Sequence, residues 1–552
     1  MTRRRAETST GASAAPRSWW GTPAERVGVA VGVAFGLMLR LVLMHRSPLH
    51  LFAAEEFANL RLVGQLEAGL PLGPLSQYAY GDGIGLNGGG SLVLSLLYVP
   101  LEPLFGDGLV AVRVMALLWA AAGALLVAAL GRRLLGPWGG VAALGSLLAM
   151  PPSYWLHSSV AWGNHAEGGV LVLAAAAATL AALSGERVAP RLGAGALWGF
   201  AGWFWPPAWV PAGLLGVLAL DRLPGAAARL QFVGGAVVGS LPWVLVSFST
   251  ESQSGGAAVA GAATLLGEAV ARPAEGLAVL VRAWRSVPVY AVDWVGRWQP
   301  SAGWTEVGAP VLRALVAVGL GRMLLAGRNR RRSGEVAAML AVAAVLIPLG
   351  LELNAAAAPR RLTAIYPLWA LGLGGLVLGA WARGRVGQAA SVGLLGLGLV
   401  PTVLLAFSGS RPAEPFDPAA FAMCPGPTPA LSSGTCLRDL SEAHLPLLHW
   451  IGEDPRLQAA PARTAALKGF DAATGMASNF VLVRALAPCP TQHVRVPRLL
   501  LGEHEQRLAW EVFGAALAIS CGAPDAERRC GEEAEDEDLV ACRRGVGWSP
   551  PE

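Results

Sequence analysis

The stretch "LVAVRVMALLWAAAGALLVAALGRRLLG", residues 109–136, is a long and almost uncharged apolar run that ends in a pair of arginines. A run of roughly 18 or more predominantly apolar residues is the signature of a membrane-spanning helix. Similar runs recur along the first three quarters of the chain, which is 54% hydrophobic and 14% charged, with a mean hydropathy of +0.49. The sequence therefore predicts an all-α, polytopic membrane protein.

The N-terminal segment predicts an uncleaved first helix. Its apolar run, from about Val27 to Met44, is long enough to span, and no small-residue cleavage site follows it. We expect residues 1–25 to form a cytoplasmic segment. The net charge of +5 comes mainly from arginines in short loops, so it indicates no nucleic-acid partner. We interpret the abundance of Ala and Gly as genomic composition rather than chemistry.

Arginines in the short loops predict the side of the membrane on which each loop lies, because positively charged short loops stay cytoplasmic. The predicted cytoplasmic loops are 131–136, 184–191, 221–229, 327–335 and 382–387. Besides the first helix, spans are expected near 108–130, 137–155, 168–184, 192–205, 207–220, 229–248, 308–326, 334–352, 361–381 and 388–408. About eleven crossings place the N-terminus inside and the C-terminus outside. The short, Pro-interrupted segment 91–106 predicts a juxtamembrane or re-entrant element instead.

The last quarter of the chain predicts a separate domain outside the membrane. We expect a multi-pass domain over 26–408, with outer loops at 46–107 and 250–306, and a soluble extracytoplasmic domain over 409–552. A helix-like "LSEAHLPLLHWIG" (440–452) and a strand-like "NFVLVRAL" (479–486) predict a mixed α/β fold for this domain.

The cysteines support the predicted outer location of this domain. All six lie in it, and their spacing fits neither a zinc site nor a haem-attachment motif (Cys424, Cys436, Cys489, Cys521, Cys530 and Cys542). An even number confined to one exported segment predicts disulfides, as in the periplasm outside a bacterial cytoplasmic membrane. Their pairing stays open.

The first outer loop contains the adjacent acids Glu55 and Glu56, directly after the first helix. Neighbouring carboxylates repel each other, which raises one pKa and suits a general base or the binding of a hydroxylated or cationic group. The alternative is an acidic loop that simply meets water beyond a helix end.

Beyond this pair, the sequence resembles the GT-C membrane glycosyltransferases. The likeness rests on the acidic pair, the helical "EFANLRLVGQLEAGLP" (56–71), the Tyr/Gly-rich "YAYGDGIG" (78–85), an apolar segment ending "LFG", and a span ending "ALGRRLLG". It covers roughly residues 26–180, with a weaker echo at 359–375. It is closest to the branch that holds protein O-mannosyltransferases and lipid A aminoarabinose transferases. Two departures are Glu55 in place of the usual aspartate, and "GLNGGGS" (85–91) in place of a His-Pro-Pro-like motif.

The resemblance implies that Glu55 deprotonates an acceptor hydroxyl or amine, which then displaces a polyprenyl phosphate from the anomeric carbon of a sugar. Glu56 would support this step by orienting the acceptor or a loop. Tyr80 and Asp82 would line the sugar site, the alternative being a glycine-rich turn with an incidental acid.

A second outer loop, "HSSVAWGNHAEGG" (157–169), places His165 and Glu167 at the mouth of two spans. Three roles are open for them: polar packing of the loop, binding of the acceptor or donor, and binding of a divalent cation beside the acidic pair. A metal needs three or more converging ligands, which a sequence does not reveal.

A lipid-phosphate leaving group needs cations near the outer face. The weaker echo, "AAAAPRRLTAIYPLWALGLG" (355–374), supplies Arg360 and Arg361, and a guanidinium can bind two phosphate oxygens at once. Arg40, Arg113 and Arg313 also lie near outer span ends, where we expect them to snorkel to the headgroups.

Three functional hypotheses follow. The first is a membrane glycosyltransferase that moves a sugar from a polyprenyl-phosphate carrier to a lipid, glycan or protein acceptor on the outer face. The second is a transporter or flippase, which the scarcity of charge at mid-span disfavours. The third is a non-catalytic assembly or binding protein whose cysteine-rich tail holds a partner.

Overall fold

The computed structural model describes residues 21–46, 90–98, 109–159, 165–185, 187–249, 273–287, 304–328, 331–353, 362–407, 503–521, 523–534 and 536–549, with isolated positions elsewhere. His165 and Glu167 lie within these ranges. The other predicted site residues lie outside them: Glu55, Glu56, Tyr80, Asp82, Arg360 and Arg361. The strand predicted at 479–486 also lies outside the described residues.

Regular structure within the described part of the membrane domain is entirely helical. The helices are α1 Pro23–Arg46, α2 Gly90–Tyr98, α3 Leu109–Leu135, α4 Gly139–Leu148, α5 Pro152–His157, α6 Ala166–Ser184, α7 Val188–Phe204, α8 Trp209–Arg222, α9 Gly225–Ser249, α10 Pro273–Ser286, α11 Ala309–Gly327, α12 Arg332–Leu353, α13 Tyr366–Trp381 and α14 Arg385–Phe407. A π-helical turn, Trp304–Gly308, leads into α11, and a 3₁₀ turn, Thr363–Ile365, leads into α13.

Seven helices in the described ranges are long and apolar enough to cross a membrane, namely α1, α3, α6, α11, α12, α13 and α14. The chain is therefore a multi-pass membrane protein, as the apolar runs predict. Each of the four remaining predicted spans coincides with helical structure. The span at 137–155 coincides with the pair α4 and α5, and the other three coincide with α7, α8 and α9 in turn. That these four also cross the bilayer remains a prediction. Helix α2 has nine residues, about 13 Å of rise, which is too short to span.

The segment predicted as a span over 137–155 consists of two helices with a break between them. Helix α4 ends at Leu148, Pro151 is extended, and α5 begins at Pro152. Proline has no N–H to donate and disfavours helical geometry in the residue before it, so two in succession end the helix. The freed carbonyl of Met150 accepts a hydrogen bond of 2.9 Å from the Trp155 indole, which satisfies it at the break.

Helices α7 and α9 approach each other through two facing Gly-x-x-x-Gly motifs. These are Gly195 with Gly199 on α7, and Gly235 with Gly239 on α9. A Cβ on Gly195 would lie 1.9 Å from the Phe232 oxygen, and one on Gly239 would lie 2.0 Å from the Ala196 oxygen. In a membrane the hydrophobic effect does not drive helices together, because the lipid tails are as apolar as the side chains. Close backbone contact at small residues then stabilises the helix pair through van der Waals packing. The interpretation of glycine as composition alone is therefore wrong at these four positions.

Three long-range polar contacts join residues that the arginine pattern assigns to the cytoplasmic side. Glu25 pairs with Arg132 at 3.1 Å, and its other contacts include the backbone N–H of Trp138. Arg222 Nε donates to Glu335 at 3.1 Å, and Arg332 donates to the carbonyl of Leu183.

Three further contacts join residues assigned to the opposite side. Arg40 donates to Ser158 Oγ at 2.9 Å, Ser153 Oγ and Tyr366 OH are 2.8 Å apart, and Arg313 donates to the Val287 carbonyl at 2.7 Å. None of these six contacts joins a residue assigned to one side with a residue assigned to the other. Which end is cytoplasmic remains the prediction from the arginines.

The described part of the tail is helical, with α15 Glu503–Cys521, α16 Ala523–Glu533 and α17 Asp536–Val546 around an apolar core of their own. Cys530 and Cys542 form a disulfide between α16 and α17, which confirms one predicted bridge. Arg456 binds Asp454 and Glu511 in the same domain. Burial raises the pKa of Asp454, but hydrogen bonds from Arg456 outweigh it and leave that pKa below its ordinary value.

Candidate functional site

The predicted outer end of the membrane domain is organised around the short helix α5. Pro152 is its first residue, where a missing N–H costs nothing, and the chain leaves helical geometry again at Ser158. Every residue of α5 is buried. Its position between the break at Pro151 and the start of α6 brings its side chains against α1, α13 and α14.

Arg40 connects α1 to this corner. Its guanidinium lies 4.4 Å from the Trp155 ring centre and 5.4 Å from that of Tyr154, in addition to the bond to Ser158. The side chain is only 4% exposed. The expectation that Arg40 snorkels to the headgroups is therefore wrong, because stacking on two aromatic rings holds it inside the protein. Arg113 is buried too, at 9% exposure, so the same expectation fails there.

Tyr366 connects the start of α13 to the same corner. Its hydroxyl shares the 2.8 Å hydrogen bond with Ser153, and its ring lies 5.5 Å from Tyr154 and 5.4 Å from Trp369. Gly169, one turn into α6, packs so tightly on this segment that an added Cβ would lie 2.6 Å from the Ala364 carbonyl. The turn that follows Arg360 and Arg361 in sequence is thus held directly against the start of α6.

His165 and Glu167 lie at the start of α6. The Glu167 carboxylate accepts a hydrogen bond of 3.3 Å from the His165 backbone N–H. Both residues are buried, with Glu167 1% and His165 7% exposed. A carboxylate at a helix N-terminus satisfies an unpaired donor and is favoured by the helix dipole. This geometry supports the polar-packing role, while both residues also make further contacts.

A second histidine, His157, lies at the end of α5. Its Nδ1 is 2.6 Å from the Ser153 carbonyl, and since a carbonyl only accepts, Nδ1 must carry the proton. In the neutral ring Nε2 is then the basic nitrogen. Within the described residues no group of three or more His, Cys, Asp or Glu side chains is placed to hold a metal ion.

Arg313 has a structural role that the sequence did not reveal. It donates to the carbonyls of Arg285 and Val287, at 2.9 and 2.7 Å, at the C-terminal end of α10. A cation there satisfies carbonyls that lack helical partners and complements the helix dipole. The expectation that Arg313 snorkels is therefore wrong, because its side chain caps the end of α10.

The described elements bring together the chain segments that flank the predicted site residues. Helix α1 leads into the loop with Glu55 and Glu56, α6 carries His165 and Glu167, and Leu362 directly follows Arg361. All three segments contact α5 or its neighbours at the same end of the bundle. Glu55 is nine residues beyond Arg46, which limits it to about 30 Å from the end of α1. Tyr80 and Asp82 stay predictions.

Sequence reasoning missed Ser153, Tyr154, His157, Ser158 and Tyr366. Their common signal was the polar and aromatic content of "PPSYWLHSS" (151–159), which an apolar span does not need. The double proline at its start was a second signal.

Comparison with known proteins gives a structural likeness but no family. No family model matches the chain, and no curated protein matches its sequence. Among solved structures, it is similar to the Archaeoglobus fulgidus oligosaccharyltransferase in complex with Zn and sulfate, with a TM-score of 0.43 and 15% identity over 76% of this chain. The chain spans 57% of the length of that protein.

Proposed function

We propose that this chain is a GT-C-type membrane glycosyltransferase that moves a sugar from a polyprenyl-phosphate carrier to a lipid, glycan or protein acceptor on the outer face of a bacterial cytoplasmic membrane. The observation that carries the proposal is the meeting of three segments at one end of the bundle. The first is the end of α1, which precedes the acidic pair. The second is the start of α6, next to His165, and the third is the turn at Thr363–Ile365, which follows the arginine pair.

Glu55 is the base in this proposal. It takes the proton from an acceptor hydroxyl or amine as the acceptor atom bonds to the anomeric carbon of the sugar. The bond from that carbon to the phosphate oxygen breaks, and the polyprenyl phosphate leaves with its electron pair. Arg360 and Arg361 stabilise the charge that develops on this phosphate. The step needs no oxidant and consumes no nucleotide.

Glu56, His165 and Glu167 position the reactants in this account. The buried contact between Glu167 and the His165 backbone fixes the start of α6, and a buried polar group with its partners satisfied is a rigid support. Tyr80 and Asp82 line the sugar. A divalent cation would be held by carboxylates of this group together with ligands from the first outer loop.

The proposal is tested with membranes from cells that express the chain or lack it. Membranes are supplied with polyprenyl-phosphate-linked sugars, and transfer to endogenous acceptors is followed with a radiolabelled sugar. We expect transfer that requires the chain and is lost when Glu55 and Glu56 are both changed to Gln. Equal transfer with and without the chain, from every donor tried, would contradict it. Full activity of the double variant would instead favour a non-catalytic binding protein.

A further inference from the structure

The turn that leads into α13 is buried along its whole length. Leu362, the turn Thr363–Ile365 and Tyr366 contain no residue that is more than 2% exposed. The backbone N–H of Tyr366 donates to the Thr363 carbonyl, which closes the turn, and α13 begins directly at Tyr366. Because protein interiors are close-packed, the position of a buried turn is set by the side chains and backbone that contact it.

Two contacts from other helices hold this turn. The Tyr366 hydroxyl shares a hydrogen bond of 2.8 Å with Ser153 Oγ on α5, and both residues are fully buried. Gly169 on α6 approaches so closely that an added Cβ would lie 2.6 Å from the Ala364 carbonyl oxygen. Since Gly169 follows Glu167 by two residues, this second contact joins the turn to the start of α6. A buried polar pair of this kind specifies one arrangement of the elements that carry it.

The covalent chain passes this fixed position on to the arginine pair. Arg361 directly precedes Leu362, so their Cα atoms are about 3.8 Å apart, and the Cα of Arg360 lies within about 7 Å of that of Leu362. A guanidinium binds phosphate through directional, parallel N–H···O bonds, which form only when the side chain starts from a suitable place. A shift of the turn would therefore reach the arginines through the backbone.

We propose that Tyr366 is a positioning residue for the donor phosphate, because its hydrogen bond to Ser153 holds the turn from which Arg360 and Arg361 extend. Tyr366 touches neither the donor nor the reacting atoms, and it acts only through the two arginines. The inference rests on the proposed function, which identifies the phosphate as that of a polyprenyl carrier. The ring of Tyr366 also packs on Tyr154, a contact that phenylalanine keeps, so the hydroxyl can be removed by itself.

The test measures binding of a polyprenyl monophosphate to the purified full-length protein in detergent, which requires no sugar transfer. Tyr366→Phe and Ser153→Ala remove the same hydrogen bond, and each should weaken binding roughly threefold to tenfold, the range expected for one neutral hydrogen bond. The corresponding polyprenol, which lacks the phosphate, should bind equally well to all variants. The matched control is Thr179→Val, which removes another fully buried hydroxyl, the acceptor of a 2.9 Å hydrogen bond from Trp198, and should leave binding unchanged.

A double-mutant cycle separates positioning from a general loss of stability. In a protein that carries Arg360→Ala and Arg361→Ala, Tyr366→Phe should have no further effect on phosphate binding, because it acts only through these side chains. Three results would overturn the inference: equal phosphate binding by wild type and Tyr366→Phe, an equal loss of polyprenol binding, or an effect of Tyr366→Phe that persists in full without the arginines.

Failure of this inference and failure of the proposed function give different results. Phosphate binding that depends on Tyr366 in the predicted way, without any transfer of sugar, would support the positioning role and contradict the glycosyltransferase. Sugar transfer that requires the chain, together with phosphate binding that Tyr366→Phe leaves unchanged, would overturn the positioning role alone. A wild-type protein that binds polyprenol and its monophosphate equally well would contradict both.

Discussion

At the residue scale, Glu55→Gln distinguishes two explanations of Glu55, a catalytic base and an acidic residue that is merely exposed to water. Glutamine keeps the size and hydrogen bonding of glutamate but accepts no proton. A general base typically contributes about 10²–10⁴-fold, so the rate of sugar transfer should fall by that order. Glu56→Gln should reduce it less, since its role is support.

The control is Glu306→Gln, the same substitution at an exposed acid just before α11, which should leave the rate unchanged. Equal rates for Glu55→Gln and this control would remove Glu55 from the mechanism. The transfer assay with purified protein and a labelled donor makes the measurement.

Arg360→Ala is expected to act on the donor rather than on the acceptor. Loss of a charge-assisted hydrogen bond to phosphate costs about 1.5–3 kcal/mol, which is roughly a tenfold to hundredfold rise in the KM for the polyprenyl-phosphate sugar. The KM for the acceptor should not change. Donor-concentration series on Arg360→Ala and Arg385→Ala measure this, and a rise confined to the acceptor KM would contradict the assignment.

Only part of the site could be predicted residue by residue. Glu55 and Glu56 were singled out because adjacent carboxylates repel each other and suit a general base, and His165 and Glu167 because they form a polar group at the mouth of two apolar spans. Arg40 could not be assigned its partner, since Ser158 is 118 residues away and local spacing carries no information about such a contact. The pair Ser153–Tyr366, 213 residues apart, was hidden for the same reason.

At the element scale, the facing glycine motifs of α7 and α9 predict an asymmetric response to substitution. Gly239→Leu forces side-chain atoms into the Ala196 backbone, and overpacking of this kind typically costs about 1–3 kcal/mol. Gly234→Leu, five positions away on α9, meets nothing within 4 Å and should be tolerated. Thermal unfolding in detergent should show a lower Tm for Gly239→Leu alone. Matching Tm values for both variants would mean that α7 and α9 do not pack in this way.

The apolar runs predicted where helices occur better than they predicted whether each helix is continuous. Period and length sufficed for α3 and α6, which are unbroken and apolar. They failed at 137–155, where the local rule for proline should have taken precedence over mean hydropathy. The close packing at Gly195 and Gly239 needed the partner helix, which a single segment does not reveal.

At the scale of the whole molecule, reporter fusions test the direction of the bundle. Fusions after Arg133, Arg191, Arg332 and Arg385 should report a cytoplasmic location, and fusions in the tail an external one, because short positive loops stay inside. A tail that scores cytoplasmic would reverse every loop and remove the outer-face site with it.

The disulfide between Cys530 and Cys542 gives an independent check on the tail. Closing a loop of 12 residues stabilises a fold by about 3 kcal/mol in the chain-entropy account, so Cys530→Ser should lower the Tm of the tail. Mass spectrometry after alkylation, with and without reduction, should find both thiols protected until reduction. Ready alkylation of Cys530 and Cys542 in the untreated protein would contradict the bridge.

The most direct measurement of the central claim is a cryo-electron microscopy structure of the full chain in a lipid nanodisc, in which the first outer loop is traced. The account predicts that Glu55, His165 and Arg360 face one cavity that opens on the side of the tail, with α5 at its base. Glu55 facing a different surface from His165 and Arg360, or a cavity that opens on the side of Arg132 and Glu335, would contradict the proposed site.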